Sequence, residues 1–328
     1  MARAVHFGLA VSIEALLAGP HGEDESIDLA SWKPRRLADD ELLWIDATGA
    51  SDEERSRIAG ALRLQGQAVD ALGSDVDRPD AVIHEDAIEV RIVMPPDPLH
   101  EDPIPLRILI GKGWVVTSHQ KAAPFLDERR ERVSDQRELG RLSAIQFLVS
   151  LLDWQVDGFF RVADHLEAEV DKLDEAALRT DRDILGRLVA MRRQVARQRR
   201  ILSPHRELYA ELARPDFFAE LDVEDFEAID HLVGRLDRAA EAIGHAREML
   251  ISTFDVHMTR TAQRTNDIMR VLTIASVVLL PSSVLAGVMG MNFKVGFFDN
   301  PNVFWLVLAV MLAIALSTIG VARWRGWL

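Results

Sequence analysis

From Val271 to Met289 the chain contains no Asp, Glu, Lys, Arg or His, and from Val303 to Ala322 it contains none again. A helix needs roughly 20 mostly apolar residues to cross a bilayer core, so each stretch is long enough to span. Only residues 290–302 separate the two, and a long charged segment precedes them. The chain is thereby restricted to a membrane protein whose last two helices form a transmembrane hairpin. Arg260, Arg264 and Arg270 lie before the first span, Arg323 and Arg325 after the second, and the loop between carries only Lys294 and Asp299. Positive-inside bias then predicts a multi-pass protein of the cell inner (plasma) membrane with both termini in the cytoplasm.

The rest of the composition excludes more than it selects. A net charge of −14 argues against a nucleic-acid partner, whose phosphates call for basic surface. With no cysteine, disulfides and thiolate metal sites are excluded. Near the amino terminus, Ala4–Val11 is interrupted by His6 and followed by Glu14, which predicts a strand rather than an export signal.

Residues 1–135 read as a cytoplasmic α/β domain. Alternating apolar residues predict strands at Leu42–Asp46, Ala87–Met94, Leu106–Ile110 and Trp114–Thr117, with a hairpin turn at Gly111-Lys112-Gly113. Ser51 before Asp52-Glu53-Glu54 predicts a capped helix start, and His21–Glu25 a solvated loop. Residues 136–270 read as long stalk helices. Leu142, Ile145, Val149, Leu152, Val156, Phe159, Ala163, Leu166, Val170, Leu173 and Ala177 recur at steps of three and four, a seam for helix-on-helix packing. A break is expected at Thr180-Asp181, then a second helix through Ile184, Leu188, Met191, Val195 and Leu202, bent or restarted at Pro204. Its Arg192, Arg193, Arg197, Arg199 and Arg200 are expected to pair with acids of the neighbouring helix. No proline occurs between Pro215 and Pro281, so one helix about 95 Å long could run from the stalk into the first span.

Along that last helix, Asp255, Thr259, Ala262, Asn266, Met269, Thr273, Ser276, Leu280, Ser283 and Gly287 follow one slowly turning face. Within the membrane the face is small or hydroxylated, which suits either close helix packing or a pore lining. Two helices cannot enclose a channel, so the pore reading requires a ring of subunits.

Asn266-Asp267-Ile268-Met269-Arg270-Val271-Leu272-Thr273, Leu280-Pro281, Gly287 and Gly290-Met291-Asn292-Phe293 resemble the CorA-type divalent metal transporters, a family that includes ZntB-like members. Arg192-Arg193, Ser203-Pro204-His205-Arg206 and the closing Trp327-Leu328 add to the resemblance, which covers essentially the whole layout. It implies a homopentameric, funnel-shaped channel: an α+β cytoplasmic domain, a long α-helical stalk and two C-terminal transmembrane helices. The first span, 271–289, would line the pore and the second, 303–322, would surround it, with a basic tail at 323–328. Gly290, Met291 and Asn292 would form the external mouth and Asn266 the inner end. Thr273, Ser276, Ser283 and Gly287 would line the path between, with hydrophobic constrictions at Met269, Leu272 and Leu280. Asp255 matches an acidic ring below the membrane. Asp70, in Asp70-Ala71 shortly before Arg78-Pro79, matches one half of a regulatory pair of carboxylates whose other member is absent.

The resemblance predicts Mg²⁺ transport, with Co²⁺ and Ni²⁺ tolerated, gated by cytoplasmic metal. The ion is cargo, and no cofactor is expected. One departure opens a zinc alternative, with proton coupling. After Phe293 the loop reads Lys294-Val295-Gly296-Phe297-Phe298-Asp299-Asn300, where magnesium members carry an acidic Met-Pro-Glu-Leu stretch. Two other classes remain open to test. A membrane-anchored scaffold would have no need of Asn292 or a polar stripe. An enzyme lacks support, since Asp164-His165 and His84-Glu85-Asp86 read as surface residues.

Overall fold

Seven strands form one sheet in the order β2-β1-β3-β7-β6-β5-β4. They are β1 Ser12–Ala18, β2 Asp24–Ser26, β3 Leu42–Thr48, β4 Asp80–Ile83, β5 Ile88–Met94, β6 Ile104–Gly111 and β7 Trp114–His119. Neighbours pair antiparallel except β3 and β7, which run parallel. The computed structural model describes residues 12–19, 24–38, 40–73, 78–96, 102–126, 142–179, 183–218, 223–291 and 301–325. The predicted strand Ala4–Val11 and the predicted break at Thr180-Asp181 lie outside them. The chain divides into two compact units, Met1–Ile251 and Ser252–Leu328.

In the first unit both faces of the sheet are covered, which explains why β3 is buried continuously from Leu42 to Ala47, Asp46 included, and does not alternate as its sequence suggests. Leu43, Ile45 and Ala47 turn toward one cluster with Ile58, Ala68 and Leu72 of two short helices, α1 (Asp52–Leu62) and α2 (Gln67–Ala71). Leu42 and Trp44 turn the other way, into a second cluster with Phe147, Leu148 and Leu151 of α3 (Ala144–Arg179). The Trp44 and Phe147 rings lie 5.1 Å apart. The predicted cap at Ser51 is in fact a full capping box: the Ser51 hydroxyl takes the Glu54 N–H while the Glu54 carboxylate takes the Ser51 N–H. Lys112-Gly113 closes the predicted hairpin, and Gly113 adopts φ +80°, which a side chain would resist. Of the loop expected at His21–Glu25, residues 21–23 lie outside the described residues, and Asp24 and Glu25 instead pair with β1 in the short edge strand Asp24–Ser26.

The seam of α3 holds from Leu152 to Ala177, all buried. Its first turns instead bury Phe147, Leu148 and Leu151 against the sheet, leaving Ile145 and Val149 half-buried. Gly158 lets α3 approach the end of β5, because a Cβ there would sit 2.7 Å from Pro95. The next helix, α4 (Ile184–Leu212), carries Pro204 inside it without restarting, which leaves the bend as the surviving half of the expectation. The turn is secured by His205, whose Nδ1 lies 2.8 Å from the Ile201 carbonyl. A 67-residue helix, α5 (Val223–Met289), follows as the absence of proline predicts, with Pro281 in its interior. Its Ile229, Leu232, Leu236, Ala239 and Ile243 enter the cluster shared by α3, α4 and the sheet.

Candidate ion-conduction site

In the second unit, the final part of α5 and α6 (Pro301–Trp324) are both long and apolar enough to cross a membrane. Along this part of α5 the less exposed positions are Ile274, Val278, Pro281, Ser282, Leu285 and Met289. Along α6 they are Val303, Val307, Met311, Ile314, Ala315, Thr318 and Ala322. Apart from the adjacent pairs Pro281-Ser282 and Ile314-Ala315 each set repeats at steps of three and four, so each is one helix face, and residues of both helices line common grooves. Asn266, Met269, Leu272, Thr273, Ser276, Leu280, Ser283 and Gly287 belong to a different face of α5, and every one is exposed in the single chain. The helix thus brings these residues onto one stripe, of which Thr273, Ser276 and Leu280 border grooves shared with Val310, Ile314 and Thr318 of α6 while the other stripe residues line neither groove.

The hydroxyls on α5 are oriented by the helix itself. Thr273 Oγ1 donates to the Met269 carbonyl at 2.7 Å and Ser276 Oγ to the Leu272 carbonyl at 2.8 Å. Each proton is consumed by a backbone oxygen four residues back, so what the hydroxyl presents outward is its lone pairs. Pro281 has no N–H, which releases the Val277 carbonyl from its helical bond. Both effects enrich the helix in acceptors, the groups that a hydrated cation's waters require. At Gly287 a Cβ would meet nothing within 4 Å, so packing within the chain does not demand glycine there. The helix closes with the Gly290 N–H on the Ala286 carbonyl and the Met291 N–H on that of Val288. Asn292 lies outside the described residues.

Asp255 is exposed one stripe-length before Asn266, and Asp70 is exposed on α2 of the first unit. No group of three or more His, Asp or Glu side chains able to hold a metal occurs among the described residues. Neither aspartate therefore sits in a ready-made metal cage within one chain.

Sequence reasoning missed a buried polar junction that fixes the stalk helices to the sheet. Val93 lies beyond the last β4–β5 pair, Asp80 with Arg91, so its backbone has no strand partner on that side. Two side chains supply one. The Val93 N–H donates to His205 Nε2 at 3.0 Å, and Gln155 Nε2 donates to the Val93 carbonyl at 2.8 Å. The Tyr209 hydroxyl completes the set, 2.8 Å from Gln155 Oε1 and 3.0 Å from the Leu152 carbonyl. Gln155 and His205 are fully buried and Tyr209 nearly so. Burial holds the His205 imidazole neutral, lowering its pKa to about 4, and pushes the Tyr209 phenol up. The signal was present as Ser203-Pro204-His205-Arg206, but nothing in those letters says where the histidine points.

The expected pairing of the α4 arginines is corrected. Arg197 reaches Asp102, before β6, at 2.9 Å. Arg192, Arg193, Arg199 and Arg200 have no ion pair among the described residues. The interhelical pair is Arg206 with Asp237 of α5, at 2.7 Å. His84, read as a surface residue, has its side chain only 7% exposed and lies 3.1 Å from Glu89.

A unit of sheet and long helices, followed by two helices long and apolar enough to cross a bilayer, defines a membrane protein with a large sheet-containing domain. The chain belongs to the CorA-like Mg²⁺ transporter protein family, whose model matches residues 39–322. It is 28% identical over 231 residues to the cobalt/magnesium transport protein CorA of Thermotoga maritima, covering 67% of this chain and 64% of that one. It is 22% identical over 210 residues to the zinc transport protein ZntB of Yersinia enterocolitica, covering 64% and 62%. The complete structure of the CorA magnesium transporter from Methanocaldococcus jannaschii superposes with a TM-score of 0.81 at 22% identity, over 98% of this chain and 100% of that one.

Proposed function

We propose that this protein conducts a hydrated divalent cation, Mg²⁺ with Co²⁺ and Ni²⁺ tolerated, through a homopentameric pore lined by the exposed stripe of α5. The observation that carries this reading is which face α6 occupies. Small and hydroxylated residues within membranes commonly mark where helices pack closely. Here the half-buried positions in the final part of α5 are Ile274, Val278, Pro281, Ser282, Leu285 and Met289. Only Thr273, Ser276 and Leu280 of the stripe border α6, so packing inside the chain accounts for that edge and not for Asn266, Met269, Leu272, Ser283 and Gly287 of the stripe. Further copies of α5 arranged around an axis would use it, and membership in the CorA family supports a closed ring of them.

Mg²⁺ surrenders its waters reluctantly. A pore of neutral acceptors can hold those waters and let the ion keep them. The lone pairs of Thr273 and Ser276 serve this purpose, with Asn292 at the external mouth and Asn266 at the inner one. Rings of Met269, Leu272 and Leu280 would close the path by dewetting when narrowed. Asp255 would concentrate cations at the inner mouth, and Asp70 would contribute to a regulatory ion shared between subunits. Inward flux needs no cofactor or reaction, since a divalent ion gains about 4.6 kcal/mol per 100 mV. Both termini would lie in the cytoplasm, following the arginines that flank the two spans.

Lys294 favours a second reading. A cation beside the mouth, where the family's magnesium members carry acid, weakens attraction for Mg²⁺, and the similarity to ZntB supports zinc as cargo. Flux into proteoliposomes separates the two. Mg²⁺ uptake driven by voltage alone and abolished by Asn292→Ala is the expected result. Zinc uptake that requires a proton gradient would replace the magnesium reading, and no Asn292-dependent flux of either ion would leave only a membrane-anchored scaffold.

A further inference from the structure

Arg199 and Arg200, two of the α4 arginines with no ion pair among the described residues, line a groove with Arg206. Between α4 and the Ala240–Gly244 turns of α5 lies a cleft of about 300 Å³, walled by Arg199, Arg200, Ser203 and Arg206 and floored by Leu202 and Ile243. Residues 199, 203 and 206 follow one another at steps of four and three, so they share a helix face. Like charges gathered this way repel, and the chain has 52 acidic against 38 basic residues with which to neutralise them. It does so only once here, where Arg206 Nε holds Asp237 and keeps its terminal nitrogens free of that bond. Arg199 and Arg200 have no carboxylate partner among the described residues. The nearby Glu207 is already taken by Arg78 at 2.5 Å. Gly244 leaves the floor open, for a Cβ there would meet nothing within 4 Å.

We propose that this groove binds a phosphate-bearing polyanion, a di- or triphosphate, on Arg199, Arg200 and Arg206. Three guanidinium groups less the Asp237 charge leave a surplus of about two positive charges, which a single carboxylate would not neutralise. Guanidinium forks match phosphate oxygens two at a time, a fit that lysine would not give. The Ser203 hydroxyl adds a donor at the same wall. The volume equals that of about ten waters at ~30 Å³ each, room for a short chain of phosphates and not for a folded partner. The groove belongs wholly to the first unit, so the inference does not rest on the transport reading, and binding is measured without flux.

Calorimetric titration of the full-length protein in detergent, in buffer free of divalent cations, tests it with tripolyphosphate, pyrophosphate and ATP as separate probes. Saturable binding of tripolyphosphate is expected. Arg199→Gln/Arg200→Gln should raise its Kd at least about tenfold, the loss of ~1.4 kcal/mol of charge-assisted hydrogen bonding. Gly244→Leu fills the floor with a better helix former, so it should block binding while the melting temperature holds or rises. The control is Arg192→Gln/Arg193→Gln, arginines of the same helix outside the groove, which should change Kd less than twofold. Equal Kd values for ATP and tripolyphosphate place recognition in the phosphates alone, and a tighter ATP adds the apolar floor; both support the site. Absence of saturable binding by all three probes, an equal loss in the Arg192/Arg193 control, or unaltered binding in Gly244→Leu would overturn it.

Discussion

Replacing His205 with alanine should destabilise the first unit by an amount that shrinks as the solution is acidified. At neutral pH the loss has two parts. The Val93 N–H, buried beyond the last strand pair, loses the acceptor now 3.0 Å away, and an orphaned buried donor costs about 1–3 kcal/mol. The missing ring also leaves a hole beside Phe159, whose centroid lies 5.5 Å from the imidazole. Deleting a buried ring of this size brings the total to about 3 kcal/mol or more.

The pH dependence follows from linkage. Folding holds the His205 pKa down to about 4, against about 6.5 for a free imidazole. A depressed pKa means that the unfolded chain takes up the proton first. The stabilisation is therefore complete above pH 6.5 and is lost progressively as pH falls toward 4. Between pH 7.5 and 5.5 the native protein should lose about 1.4 kcal/mol through this one group. His205→Ala has no such group to titrate, so the gap between the two proteins should narrow by that amount. Urea titrations of the full-length protein in detergent, followed by tryptophan fluorescence at both pH values, measure it. A gap that is constant or wider at pH 5.5 would refute the assignment of His205 as a neutral acceptor for the sheet.

Two further outcomes follow from the same geometry. On the proposed pore, Thr273→Val keeps the shape of the side chain but removes one acceptor from each copy of the stripe; at about 1 kcal/mol or more for each bond to a hydrated ion, proteoliposome uptake of the proposed Mg²⁺ cargo should fall at least about tenfold with the protein still folded. Arg235 of α5 bonds both Asp153 and Asp157 of α3 and lies 5.9 Å from the Phe160 ring; Arg235→Ala should lower unfolding stability by about 1–2 kcal/mol, with a smaller difference in 1 M salt, read from urea midpoints.

What could be read from the letters was whatever a repeat encodes. The two uncharged spans, the seam from Leu152 to Ala177 and the proline-free run into α5 all follow from periodicity or length, and all appear as helices. The cap at Ser51 was legible because its bond lies within four residues, although the reciprocal bond from Glu54 was not foreseen. Features that depend on distant partners were not. The first strand, Ser12–Ala18, contains Glu14 and two small residues, and it exists because β3 pairs with it along its full length. Pro204 should disturb a helix, yet α4 continues because a histidine one residue on reaches both its own helix and the sheet. The arginine row illustrates the limit of charge statistics: opposite charges on adjacent helices need not face each other, and here most do not.

The membrane stripe shows a subtler limit. From sequence, small and hydroxylated residues on one face of α5 are consistent with packing or with a conduit, because both exploit side chains that occupy little space. The half-buried face of α5 is a neighbouring one, yet Thr273, Ser276 and Leu280 border α6, so α6 accounts for one edge of the stripe and leaves the choice open for the rest. Polarity alone would not have narrowed it: Thr273 and Ser276 satisfy their protons within the helix and so tolerate either lipid or water. Asn266 differs, because an exposed amide has two donors and an acceptor that no helix carbonyl four residues back can satisfy together. In lipid such a group is costly, whereas at the mouth of a wet path it is an asset. The stripe is therefore best judged at its amide-bearing end, where the surroundings of the side chain decide between the two readings.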